Sequence, residues 1–238
     1  MGAMDVSWYQ DTSGLPERPQ PMGPEPDERP AREPMFNAPW PALLLVGLIV
    51  GGYALQTRFP METVVDAMAF SPAALAQGRW ATLITALFVH GGWAHALMNA
   101  AFALAFATPV ARFFGERLGG VLTFFAFYLA CGALSNLGYA ALHPGGAQPL
   151  VGASGALSGL MAGSARLIAG RGRLGPIISS PVIGMGVAWV VVNVLIGVLG
   201  SGFTPGAGGA TVAWEAHLTG FLAGVLVISP FAWLARRA

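Results

Sequence analysis

Residues 152–169 read Gly-Ala-Ser-Gly-Ala-Leu-Ser-Gly-Leu-Met-Ala-Gly-Ser-Ala-Arg-Leu-Ile-Ala. The stretch is apolar and built from small residues. Gly155, Gly159 and Gly163 recur every fourth position. In a helix they form one stripe, the usual device for close backbone approach between helices in lipid. Ser154 stands at the head of that stripe. Some sixty residues later Glu215-Ala216-His217-Leu218-Thr219-Gly220 opens a second apolar helix. Its own stripe, His217, Gly220 and Gly224, falls at i, i+3 and i+7. Two glycine faces can meet, and each carries a reactive side chain near the same end. A serine and a histidine are the parts of a nucleophile and its general base. Polar groups inside lipid are costly and tend to be functional.

Composition sets the medium. The chain has 238 residues, of which 55% are hydrophobic and 10% charged. A soluble domain carries about 25% charged residues, so the chain reads as an integral membrane protein. The net charge of +1 gives no reason to expect a nucleic-acid partner. Cys131 is the single cysteine, which excludes an internal disulfide. It lies in an apolar run and reads as a buried thiol.

Residues 1–38 are rich in Pro, Glu, Asp and Arg and lack apolar periodicity. They are expected to form a disordered tail, because they cannot bury enough surface to offset ordering entropy. Residues 39–238 are expected to form the membrane domain. Six apolar segments follow the tail, at Pro41–Leu55, Trp93–Val110, Leu118–Leu142, Ser154–Ala169, Ile177–Leu199 and Val212–Leu234. A span needs about 20 residues. The first and fourth segments are at or below that limit and are still read as spans. The expected fold is an all-α bundle of six transmembrane helices, with residues 57–92 as a long interfacial loop between the first two. Residues 143–151 and 200–211 read as Gly- and Pro-rich loops.

Every basic residue is arginine. With the six spans alternating, ten arginines (Arg18, Arg29, Arg32, Arg112, Arg117, Arg166, Arg171, Arg173, Arg236 and Arg237) fall on one side. Only Arg58 and Arg79 fall on the other. The positive-inside rule then puts both termini in the cytoplasm. The starts of the second, fourth and sixth spans, with His95, Asn99, Ser154 and His217, lie on the outer side.

His95 and Asn99 are four apart and lie about 40° apart around a helix. Gly91-Gly92 should break that helix before His90, which leaves His90 in the loop. Two neutral donors facing a serine suit an oxyanion hole. A packing pair is the plainer alternative. No carboxylate or thiolate stands where it could complete a metal site with the histidines, so neither metal nor cofactor is expected. The acids beyond the tail are Glu62, Asp66, Glu116 and Glu215. None is placed to hold His217, so a Ser–His dyad is expected rather than a triad. His143 reads as a loop histidine without a partner.

Together, Gly152-Ala153-Ser154-Gly155, Ala216-His217-Leu218-Thr219-Gly220 with Gly224, and the pattern His90…His95…Asn99 resemble the rhomboid family of intramembrane serine proteases. The resemblance covers roughly residues 40–235. It implies a six-helix bundle with a water-accessible cavity opening outward, and endopeptidase action on transmembrane segments of other membrane proteins. It implies Ser154 as nucleophile and His217 as its base. His95, Asn99 and the Ser154 backbone N–H would form the oxyanion hole. His90 would help order the first loop, and Gly152, Gly155 and Gly220 would support the site. The alternative within the same family is an inactive relative that binds and routes membrane proteins; such members typically lack the serine or the histidine. A small transporter would need polar residues running across the bundle, whereas here they cluster at one end.

Two positions depart from the family's pattern. Arg79-Trp80 stands in reverse of the Trp-Arg order that members often carry in the first loop. Ser158 stands where many have an aromatic residue that stacks on the histidine. The alanine- and arginine-rich, lysine-free composition fits a GC-rich bacterial genome. The expected location is therefore the bacterial inner membrane.

Overall fold

A computed structural model describes residues 37–199 and 212–235. The tail expected over 1–38 lies, apart from its last two residues, outside them, as does the whole of the 200–211 loop. Among the described residues the fold is helical, with no strand and two isolated bridges, Phe70 to Leu150 and Gly170 to Arg173.

Six longer helices and three short ones follow one another among these residues. They are α1 (Trp40–Gln56), α2 (Met61–Met68), α3 (Pro72–Ala76), α4 (Thr82–Thr85), α5 (Trp93–Phe114), α6 (Leu118–Leu142), α7 (Ser154–Ala169), α8 (Ser180–Leu199) and α9 (Trp214–Ala235). Four of these, α5, α6, α8 and α9, are long and apolar enough to cross a membrane. α1 has 17 residues and α7 has 16. At 1.5 Å per residue α7 spans about 24 Å, short of the ~30 Å hydrocarbon layer. The protein is an integral membrane protein.

The expected segments match these helices to within a few residues. The second runs past Val110 to Phe114, since Arg112 sits in its last turn, where a cation favours the helix C-terminus. The fifth starts at Ser180 rather than Ile177, with Pro181 in its first turn, where the missing N–H costs nothing. Arg166, one of the ten arginines assigned to the cytoplasmic side, belongs to the last turn of α7. Its buried guanidinium donates to the Gly175 and Val225 carbonyls and to Ser229 Oγ, at 2.7–3.0 Å. It fastens the end of α7 to α9 instead of reaching the membrane surface.

α7 is the centre of the molecule. Every residue from Gly155 to Leu167 is buried, and α5, α6, α8 and α9 all pack on it. The glycine stripes meet as expected. A Cβ on Gly220 would overlap the Gly155 carbonyl, and one on Gly224 would overlap the Gly159 backbone. On α5 the buried stripe Ala96, Ala100, Ala103 and Ala107 joins Ala42, Leu45 and Ile49 of α1 and Leu157 and Leu160 of α7 in one core. α8 is the exception. Among its side chains whose burial is described, only Val182 and Asn193 are buried, while Val187, Val190, Val191, Val194, Leu195 and Val198 face outward, as suits a helix bathed in lipid.

The 57–92 segment carries more structure than a plain linker. Arg79 donates to the carbonyls of Asp66 and Ala67 at the end of α2. Thr85 Oγ1 bonds the Met68 carbonyl, and Asn136 of α6 bonds that of Leu83. Trp80 remains 63% exposed. The reversed Arg-Trp pair thus leaves the arginine holding the loop and the tryptophan outside it. At the other side of the molecule, the Trp40 amide at the start of α1 donates to Glu116 between α5 and α6.

Candidate active site

The site forms where α7 and α9 begin. Gly152 holds φ = 118°, in the region that favours glycine, and its N–H donates to the Ala86 carbonyl at 2.9 Å. That bond and the Phe70–Leu150 bridge fix the approach to α7. Ser154 is the first residue of the helix, where backbone N–H groups have no intrahelical acceptor. α6 holds the facing end of α9. Ser135 Oγ donates to the Ala216 carbonyl at 2.5 Å, and Thr219 Oγ1 donates back to the Ser135 carbonyl at 3.0 Å.

The glycine contact then sets the chemistry. His217 Nε2 lies 2.8 Å from Ser154 Oγ. Nothing bulkier than glycine fits at 155 or 220 at this separation, because a Cβ on Gly155 would run into the Ser135 side chain. On its far edge, His217 Nδ1 lies 2.6 Å from Asn193 Oδ1. The expected Ser–His pair thus has a third neighbour, an amide on α8 rather than a carboxylate. The signal was present as the one Asn in an uncharged run of twenty residues. Trp189, one turn earlier on α8, sets its ring 5.8 Å from the imidazole at an interplanar angle of 34°. Ser158 supplies no ring to the histidine, and its hydroxyl turns back to the Ser154 carbonyl at 2.7 Å.

His95 and Asn99 line the same cavity, of about 240 Å³, with Met98, Phe102 and Trp189 completing its apolar wall. The Gly91 N–H donates to His95 Nδ1 at 3.3 Å. That bond makes Nδ1 the acceptor and leaves the proton on Nε2. Nε2 points at Gly152, where a Cβ would come within 2.8 Å of it. Asn99 Nδ2 gives one hydrogen to the His95 carbonyl at 3.1 Å and keeps a second. Two neutral N–H donors therefore stand near Gly152 in the cavity that Ser154 also lines.

His90 is placed differently. It is fully buried, and Gln56 at the end of α1 clamps its backbone, donating to its carbonyl at 2.8 Å and accepting from its N–H at 3.0 Å. Its ring lies edge-on to Tyr53 and His95, and neither ring nitrogen has a hydrogen-bond partner. Burial foremost, with the neighbouring His95 second, lowers its pKa to about 3. His143, expected to stand alone, pairs with Glu215 at 3.2 Å and stacks on Tyr139. Glu215 points away from His217, as its position two residues earlier requires. Among the described residues no group of three metal-ligating side chains comes together.

The model of one protein family, described as the Rhomboid domain, matches residues 77–233, more than half of the chain. No curated protein matches it.

Proposed function

The chain belongs to the rhomboid family, and from that premise we propose that it is an intramembrane serine endopeptidase acting on transmembrane segments of other membrane proteins. The observation that carries this reading is the 2.8 Å approach of His217 Nε2 to Ser154 Oγ beside a second imidazole N–H.

In the proposed reaction His217 Nε2 accepts the Ser154 hydroxyl proton as Oγ attacks the scissile carbonyl. The carbonyl π pair moves onto oxygen. The His95 Nε2–H, the spare Asn99 Nδ2–H and the Ser154 backbone N–H receive that charge. One such donor is worth about 10²–10³ in rate. The imidazolium then gives its proton to the leaving amine as the C–N bond breaks, and an acyl-Ser154 remains. Water, deprotonated by His217, attacks the ester, and Ser154 leaves with the proton.

All six longer helices cross the membrane in this reading. α7 begins below the outer surface, which explains its length and gives water a route to Ser154 from outside. The arginine distribution supports both termini in the cytoplasm, and the composition supports the bacterial inner membrane. The substrate comes laterally, past α8, the least buried of the four long apolar helices. A helical substrate hides its carbonyls in hydrogen bonds, so segments with Gly, Ala or Ser near the outer interface unwind at lower cost.

The test is cleavage of a model transmembrane substrate in liposomes. Ser154→Ala and His217→Ala are each expected to abolish it. Wild-type rates in either variant would refute the reading, and a folded wild type inert toward a panel of such substrates would favour a binding role.

A further inference from the structure

We infer that Asn193, on α8, is the positioning residue for His217, holding the imidazole in the tautomer that lets Nε2 act as the base. This inference rests on the reading of Ser154 and His217 given above.

The argument starts from burial. α8 presents nearly all of its surface outward, yet Asn193 is 0% exposed. An amide inside lipid is costly unless both its ends are satisfied. Here both are. Asn193 Nδ2 donates to the Trp189 carbonyl, one turn back, at 2.8 Å. A carbonyl only accepts, so this bond fixes which end of the amide is nitrogen. Oδ1 must then face His217, and it lies 2.6 Å from Nδ1. An amide oxygen also only accepts, so Nδ1 carries the proton. Nε2 is left with its lone pair toward Ser154 Oγ, at 2.8 Å. Turning the amide over would set its carbonyl against that of Trp189 and lose that bond.

The two contacts divide the work. Trp189 limits the tilt of the ring, and Asn193 sets its rotation and proton. Once His217 takes the Ser154 proton, the same oxygen faces an imidazolium N–H, and the bond strengthens as charge develops. An amide does this without placing a carboxylate in the membrane. The groups facing His217 are Ser154 from α7, Asn193 and Trp189 from α8, and His95 across the cavity. Glu215, on its own helix, is engaged by His143.

The base is thereby held by α8, the least buried of the four long apolar helices.

The test uses the full chain, labelled with ¹⁵N-histidine, in micelles. His217→Gln identifies the His217 signals. Wild-type His217 is expected to carry its proton on Nδ1, whereas a proton on Nε2 would overturn the inference. Asn193→Leu keeps the volume and suits a lipid-facing helix. It is expected to lose the Nδ1–H preference and to lower kcat about 10- to 100-fold with KM little changed. Asn193→Asp restores an acceptor and is expected to recover kcat relative to Asn193→Leu, with the acid limb of the rate profile moved to higher pH. An Asn193→Leu enzyme with wild-type kcat, tautomer and pH profile would overturn it. The tautomer readout needs no turnover, so an inactive wild type would remove the protease reading and leave this result standing.

Discussion

Two histidines at or near the site differ in how they contribute. His217 works through its nitrogens, both engaged. His90 is held by its backbone, through the paired bonds to Gln56, while its ring nitrogens have no hydrogen-bond partner. Removing the clamp leaves a buried donor and acceptor unmet. Gln56→Ala is therefore expected to lower the melting temperature more than His90→Phe, which keeps a ring against Tyr53 and His95. The same site predicts a pH dependence. The native ring has its pKa lowered to about 3, against 6.5 for the free side chain. Between those values the unfolded chain binds the extra proton, so its stabilising effect is complete above about 6.5 and falls as pH drops toward 3. Thermal unfolding in detergent should show that decline in the wild type, and a flatter profile in His90→Phe. An unchanged profile would contradict this account of the ring.

The residues of the site were legible to different degrees for physical reasons. Ser154, His217, His95 and Asn99 announce themselves because polar groups at helix starts in an apolar sequence have few structural uses, and the glycine spacing says which faces meet. Gln56 and Asn193 do not. Each is a single amide whose partner is far along the chain, His90 in a loop 34 positions away and His217 on another helix 24 positions away. A search for a third group that looks only at carboxylates passes over an amide. His143 and Glu215, read singly, gave no hint of each other because a tertiary contact joins the end of α6 to the start of α9.

At the level of elements, the α7–α9 contact governs the rest. Gly155 and Gly159 lie against Gly220 and Gly224 with no room for a side chain. Gly220→Leu is expected to force the helices apart, to cost upward of about 1–3 kcal/mol of stability, and to remove proteolysis by separating His217 from Ser154. Gly184, on the outward face of α8, meets nothing within 4 Å. Gly184→Ala should leave activity unchanged and stability equal or slightly higher. Melting temperature and cleavage measured together check both, and equal tolerance at the two positions would contradict the packing argument. The helix positions themselves were readable from apolar run length, because lipid demands long uninterrupted helices. The ends were less so, since prolines and terminal arginines adjust them by a few residues. The 57–92 segment reads as mixed in composition, and only the structure reveals its three short α-helices.

For the molecule as a whole, the polar side chains that could do chemistry sit at one end of an apolar bundle. Among the described residues Arg112, Arg117, Arg171 and Arg173 stand at the α5–α6 and α7–α8 connections, at the other end. That polarity is what an enzyme drawing water from one side of a membrane requires, and a channel would instead carry polar groups through. The central claim is that Ser154 is an activated nucleophile, and the direct measurement is covalent labelling of the detergent-solubilised full chain by a fluorophosphonate, with the adduct located by peptide mass spectrometry. The account predicts a phosphonylated Ser154 in the wild type and none in a folded His217→Ala variant. An unlabelled wild type with intact fold, or an adduct carried by some other serine, would contradict it.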